Sequence, residues 1–272
     1  MTRIGRWIGS HLVLTGGLLV LLYMYIPNII VAIMSFNDSS GARNLYAFQK
    51  FTWDNWLNPC KPDNLCSSVV TSIEIGLLAT LGATVIGTFA AFGLVRHRFR
   101  GRTAMNLVLF LPMATPEIVM GSSLLALFVA AGLGGQLGFW TILLAHIMFC
   151  ISFVVVTVKS RLAGLDGNLE QAAADLYANE WQTFWKVTFP LVFPGILAAA
   201  LLAFSLSFDD FIITNLNSGQ TVTFPMYVWG ASQRGVPMQV NVIGTLMFIV
   251  ALAAVIIGEL GARRRRKAIA SR

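Results

Sequence analysis

NLEQAAADLYANEWQTFWKVTFP, residues 168–190, is a polar island between two long apolar stretches, and its reading organises the rest of the chain. Ala172, Ala173 and Ala174 favour helix and carry almost no side chain, so another protein can approach this backbone closely. Leu176, Trp181, Phe184 and Trp185 recur near helical spacing as one apolar stripe, while Glu170, Asp175, Glu180 and Lys186 supply a wet face. The pattern predicts two short amphipathic helices. Such a segment fills a groove on a partner or lies along a membrane surface, and an ordinary surface helix is the plain alternative.

Outward from the island the chain is strongly apolar. Of its 272 residues, 56% are hydrophobic and 11% charged, with a mean hydropathy of +0.73, far from the mixed polarity of a soluble domain. Six stretches, approximately 12–36, 67–95, 103–131, 139–158, 191–214 and 237–260, are long enough to cross hydrocarbon about 30 Å thick, which takes ~20 residues. Lipid-exposed backbone must satisfy its own hydrogen bonds, and nothing here alternates like barrel strands. The expectation is an all-α integral membrane protein: one transmembrane domain over 1–272 with six helices, and a polar loop at 159–190.

Basic residues set the expected orientation. With both termini inside, all but four of the 19 Lys and Arg face the cytoplasm, the exceptions being Arg43, Lys50, Lys61 and Arg234. The polar island is then cytoplasmic. The net charge of +7 lies in short loops beside membrane segments, which argues for topology and against nucleic acid. The apolar run after Arg3 and Arg6 is too long for a cleaved secretory signal, and the basic tail at 262–268 suits an anchor on anionic lipid.

Cys60 and Cys66 share an outward loop in which an oxidising compartment permits a disulfide, whereas metal binding lacks a nearby His or further Cys. Trp53 and Trp56 mark a short interfacial helix in the same loop. Pro27, Pro112 and Pro116 predict kinks, and the small residues around Gly76, Gly82 and Gly87 predict close helix contact. Glu117, Asp209 and Asp210 fall within apolar stretches, where a carboxylate needs water or a cation. Phe208 and Phe211 flank the Asp pair, an arrangement suited to a cation that also touches aromatic faces. No Lys or Arg lies within the six stretches to pair with these acids, so the expected cation is a substrate, a partner's group or a proton. For the Asp pair, capping of a helix end at the interface is the alternative.

QAAADLYA followed by VTFP resembles the signature loop of inner-membrane permease subunits of ABC importers. That pattern is Glu-Ala-Ala, a Gly four residues later, then Ile-x-Leu-Pro. Gln171 stands for the Glu, Ala172 and Ala173 match, Tyr177 stands for the Gly, and Val187, Phe189 and Pro190 close the motif at intact spacing. PEIVMGSSLLALF from Pro116, MSFN from Met34 and SFDDFIITNL from Ser207 are similar to stretches in the second permease subunit of spermidine/putrescine importers. Where that subgroup often has Asp after the Pro, this chain has Glu117, which keeps the charge on a longer arm.

The resemblance implies a type I ABC importer permease of MetI-like fold, in the inner membrane, with a cytoplasmic coupling helix. Gln171, Ala172, Ala173, Asp175, Leu176, Tyr177, Ala178 and Pro190 would meet the ATPase, and Glu117, Phe208, Asp209, Asp210 and Phe211 would line the polyamine pathway. Implied partners are a homologous permease subunit, two ATPase subunits and an extracytoplasmic substrate-binding protein. No GxxxxGK[ST] is present, so ATP and its Mg are expected on the ATPase, with no cofactor here and no enzymatic role. His11, His97 and His146 are scattered without HExxH or a Ser/His pairing, which argues against an intramembrane enzyme. Two alternatives are a permease for another solute of the same class and an ion-coupled secondary transporter using Glu117 or Asp209.

Overall fold

The computed structural model describes residues 3–38 and 47–270. Of the basic residues behind the expected topology, Arg43 and Arg272 lie outside the described residues, as do the side chains of Arg3, Arg6, Arg263–Arg266 and Lys267. Helices follow in the order α1 (Arg3–Met34), α2 (Asp54–Leu57), α3 (Leu65–Arg96), α4 (Arg102–Ala114), α5 (Glu117–Ala130), α6 (Phe139–Ala163), α7 (Asn168–Asp175), α8 (Glu180–Thr183), α9 (Phe189–Asp209), α10 (Ile212–Asn217), α11 (Phe224–Arg234) and α12 (Met238–Ala270). No strand occurs among the described residues, only an isolated bridge between Asn37 and Phe51. Five helices are long and apolar enough to cross a membrane, and the bent pair α4 and α5 makes a sixth if counted as one span.

The bend at that pair is far sharper than the kink that Pro112 and Pro116 predict in the third stretch. The two helices meet at 108°. Pro116 sterically disfavours helical backbone at the residue before it, and Thr115 is extended (ψ 132°), so α4 stops and α5 restarts with Glu117 in its first turn. The fifth span is also displaced: helix runs unbroken from Glu180 to Asp209 and stops short of 214. The polar loop therefore shrinks, since α6 extends to Ala163 and the second amphipathic helix, α8, merges into α9. Five residues at the merger, Phe184–Thr188, form a π turn, in which the Phe189 N–H donates to the Phe184 carbonyl. Pro190 just beyond has no N–H and its ring crowds the carbonyl four residues back, and a widened turn relieves both.

Where the sequence reads as one domain over 1–272, the chain packs as two compact units, Met1–Cys66 with Val228–Arg272, and Ser67–Tyr227. In the first, α1 meets α12 through Tyr25 edge-on to Phe248 (6.0 Å), with Val31 against Gly244. Buried amides tie the loop to both: Asn55 Nδ2 donates to the carbonyls of Ser35 (3.1 Å) and Asn37 (2.9 Å), and Gln239 Nε2 donates to Asn55 Oδ1 (3.1 Å). Phe36 stacks between Phe51 and Trp56, and a disulfide joins Cys60 to Cys66.

The second unit is built on α6, the most buried of the spans. Between apolar helices in lipid, association rests on close van der Waals packing rather than on escape from water, so small residues set the contacts. Gly87 of α3 shows this: a Cβ there would stand 2.7 Å from Val154 Cγ1. Ala145 on α6 and Ala199 and Ala203 on α9 have no exposed surface, and the Cys150 thiol donates to the Ala203 carbonyl (3.5 Å). Cys150 is thus a packing residue.

Candidate functional site

Two regions of the second unit hold the residues singled out by sequence. The first is a shelf formed by α7, the turn after it and α8. Asp166 Oδ1 accepts from the Asn168 N–H to start α7. At its end the Tyr177 N–H donates to the Ala174 carbonyl (2.9 Å) and the Ala178 N–H to the Ala173 carbonyl (3.0 Å), the paired bonds of a Schellman cap. Such a cap needs a left-handed residue between, and Tyr177 supplies it with φ +59°. Glycine reaches that conformation free of the Cβ clash, which costs other residues about 1–2 kcal/mol. The left-handed cap is the physical reason why the resembling pattern carries Gly here. Asn179 then opens α8 with a capping box, its Oδ1 accepting from the Gln182 N–H (2.8 Å) and Gln182 Oε1 accepting in return (3.2 Å).

What these caps present is an exposed apolar surface. Tyr177 is 97% exposed, Leu176 81% and Trp181 70%, beside exposed Gln171, Ala172, Asp175 and Pro190. Ala173 is buried and Ala178 half-buried, so the alanine run is anchored on one side and open on the other. Of the apolar stripe, Phe184 turns inward and packs edge-on against Phe92 of α3 (5.6 Å), holding the shelf to the bundle.

A second anchor was illegible in sequence. Glu170 of α7 pairs through both carboxylate oxygens with the Arg96 guanidinium at the end of α3, and Thr188 Oγ1 donates to the same carboxylate (2.5 Å). The Arg96 hydrogen bond chiefly holds the Glu170 carboxyl below the usual carboxylate range; burial opposes this, and Thr188 assists. One acid therefore fastens the shelf, α3 and the π turn together, at the edge of a cleft of about 1120 Å³ lined by Phe89, Phe92, Trp181 and Phe184.

The second region is the junction between α9 and α10. Asp209 ends α9 and is exposed, whereas Asp210 is extended (ψ 126°) and buried. The Asp210 carboxylate accepts from the backbone N–H groups of Ile213 (3.4 Å) and Thr214 (2.7 Å) and from Thr214 Oγ1 (2.8 Å), capping α10. His146 Nε2 lies 3.3 Å from the same carboxylate and 2.9 Å from Thr214 Oγ1, with its Nδ1 2.7 Å from Ser207 Oγ. One proton pattern satisfies every atom: Nε2–H donates to Thr214 and Asp210, and Nδ1 accepts from Ser207.

Asp210 therefore corrects the sequence expectation. Its partner is internal, a histidine 64 positions earlier in the chain, and its lone pairs are committed to the helix break rather than to a passing cation. Phe211 forms the N-terminal boundary of α10. Asn217 closes the short helix on α5, donating to the Gly121 carbonyl (3.1 Å), where a Cβ would stand 3.2 Å from Ile213 Cα. Glu117 lies one turn before Gly121 on α5 and is exposed. Neither Glu117 nor Asp209 has an ion-pair partner among the described residues, and no cluster of three potential metal ligands occurs among them.

Residues 83–265 match the family model described as binding-protein-dependent transport system inner membrane component. Two proteins named spermidine/putrescine transport system permease protein PotC, from Haemophilus influenzae and Escherichia coli K12, are 37% identical to the chain over 243 and 257 residues. These alignments span 89% and 93% of this chain and 93% and 96% of the relatives. The putrescine transport system permease protein PotI of Escherichia coli K12 is 37% identical over 231 residues, 83% of this chain and 81% of its own. The backbone is similar to a chain in the crystal structure of a bacterial ABC transporter involved in the import of the acidic polysaccharide alginate. The TM-score is 0.63 over 97% of this chain and 98% of that one, and at 17% identity the likeness concerns the fold alone.

Proposed function

This chain belongs to the family of binding-protein-dependent transport system inner membrane components, multi-pass subunits that are not themselves enzymes, and we propose that it forms part of the pathway of an ATP-driven polyamine importer. The observation that carries the cargo is the 37% identity, over nearly the whole chain, to permeases named for spermidine and putrescine. The exposed acids agree with it. Asp209 stands at the C-terminal end of α9, where unpaired carbonyls add partial negative charge, and this favours an ammonium over an anion.

The shelf supplies the drive. A homologous permease subunit completes the pathway, two ATPase subunits seat the shelf through Leu176, Tyr177 and Trp181, and an extracytoplasmic binding protein delivers cargo. ATP and Mg are held by the ATPases. Their closure displaces α7, and the Glu170 latch transmits the movement to α3 and α9, opening the pathway outward; hydrolysis reverses it. In this reading the shelf and both termini are cytoplasmic, while the loop carrying Cys60 and Cys66 lies on the outer side.

The test is uptake of labelled spermidine and putrescine by the assembled complex in proteoliposomes. ATP inside should drive uptake, an imposed proton gradient alone should not, and unlabelled polyamine should compete where an anionic solute does not. Uptake of another solute that polyamines leave untouched would overturn the cargo, and uptake driven without ATP would overturn the mechanism.

A further inference from the structure

A line of large side chains leaves the shelf and runs along α9. Trp181, Trp185, Phe189, Phe193, Leu197 and Leu201 follow one another four residues apart, and all are exposed except Phe189, which is half-buried. The rings touch in succession: Trp181 meets Trp185 at 5.7 Å between centroids, Trp185 meets Phe189 at 4.9 Å, and Phe189 meets Phe193 at 5.7 Å. In a regular helix a residue four positions on overshoots the ~3.6-residue turn, so such a line veers around the axis. The widened Phe184–Thr188 turn takes up part of that overshoot and keeps Trp185 and Phe189 in line where the shelf enters the span.

Side-chain size, order and length together say what covers this line. Close helix contact in lipid is made by small residues, as on the buried face of α9 with Ala199 and Ala203, whereas the exposed line holds the bulkiest side chains of the helix. Its order is graded: indole rings first, then phenyl rings, then leucines, the succession expected from a headgroup layer into hydrocarbon. Exposed Lys186 beside Trp185 suits the same layer. The 21 residues of α9 from Phe189 to Asp209 rise about 30 Å, the thickness of hydrocarbon. With Phe189 at one boundary, Trp185 stands about 6 Å beyond it, inside a headgroup layer about 5–7 Å deep.

We propose that this line is a phospholipid-facing surface that sets the depth of the shelf: the Trp185 ring seats in the headgroup layer, and Phe193, Leu197 and Leu201 face acyl chains. Trp181 ends the line at the watery margin of that layer, which leaves it to the motor. Because α8 runs into α9 through the π turn without a break, a ring fixed at the interface fixes the height of α8 as well. The surface divides the apolar stripe of the polar island between two neighbours, motor for Leu176 and Trp181, lipid for Trp185. It needs only that α9 spans the membrane, so it stands apart from the identity of the cargo.

The experiment places the assembled importer in nanodiscs of plain phospholipid, or of phospholipid brominated near the glycerol end or near the methyl end of its acyl chains. Bromine quenches indole fluorescence only at close range. The emission of Trp185 is the difference between wild type and Trp185→Phe, a change that keeps a ring in the line. That difference should be largely lost in lipid brominated near the glycerol and should survive better in lipid brominated near the methyl end. Leu197→Trp adds an indole about 18 Å further along the helix, and for its emission the order of the two lipids should reverse. Trp185 emission that is equal in plain and brominated lipid would show a face covered by protein and overturn the proposal. So would Leu197→Trp emission that neither lipid quenches, a reading that does not depend on Trp185→Phe assembling. Transport is not read, so a mistaken cargo leaves both measurements standing.

Discussion

The shelf and the α9–α10 junction are both helix interruptions, yet they settle their loose ends in opposite ways. At the shelf every cap is local: Tyr177, Ala178, Asn179 and Gln182 satisfy backbone groups within a few residues, which frees the side chains of Leu176, Tyr177 and Trp181 to face outward. At the junction the loose N–H groups are capped by Asp210, and the cap itself is held by His146 from another helix. The first leaves its side chains exposed, and the second buries its carboxylate. At the shelf the backbone ends are closed by neighbours in sequence while Arg96 anchors a separate carboxylate, and at the junction the capping carboxylate itself takes the distant partner.

The largest effect expected from that contrast is at Asp210. Asp210→Ala leaves two backbone N–H groups and His146 without their acceptor in a buried site, a loss of about 3–5 kcal/mol, read as a collapse in monodisperse yield and melting temperature in detergent. Asp209→Asn, one residue away but exposed, should melt as wild type while lowering polyamine uptake. Equal behaviour of the two variants would erase the distinction between bolt and pathway.

Smaller is the effect of releasing the latch. Glu170→Gln should change stability by less than about 1 kcal/mol, as suits a pair partly open to solvent, while ATP hydrolysed per polyamine delivered rises. Acid should do the same. A carboxyl held below its ordinary range contributes fully above that range, and its contribution is lost as pH falls through the lowered value. Coupling by Glu170→Gln that equals wild type would leave the latch without a mechanical role. Smallest is Tyr177→Gly, which relieves the left-handed cap and should raise the melting temperature slightly, a gain of at most about 1 kcal/mol; a drop would mean that the ring itself holds the turn.

Much of the fold was legible because hydrocarbon imposes a length on apolar runs, and α3, α6 and α12 begin within about two residues of the stretches read for them. The breaks were harder. Pro116 announced a kink but not a 108° turn, and nothing before Asp210 marks the end of α9, because the break there is made by a carboxylate competing for backbone N–H groups. In the candidate sites, spacing marked the segment that forms the shelf, whereas the left-handed backbone at Tyr177, where the resembling pattern has Gly, is seen only in the structure. Arg96 with Glu170 and His146 with Asp210 escaped, being separated by 74 and 64 positions in the chain, a distance at which a single sequence offers no signal.

A bulky ring placed where a hydrogen atom would be conformationally cheapest has a consequence for wiring. If the shelf docks on a motor as proposed, the side chain at position 177 is among the first atoms the motor would meet. On the proposed docking of the shelf, a Tyr177 side chain standing almost wholly clear of its own protein would need room in the motor that a glycine would not. The strain in one turn would thereby act as a key, restricting this permease to the motor built to accept it.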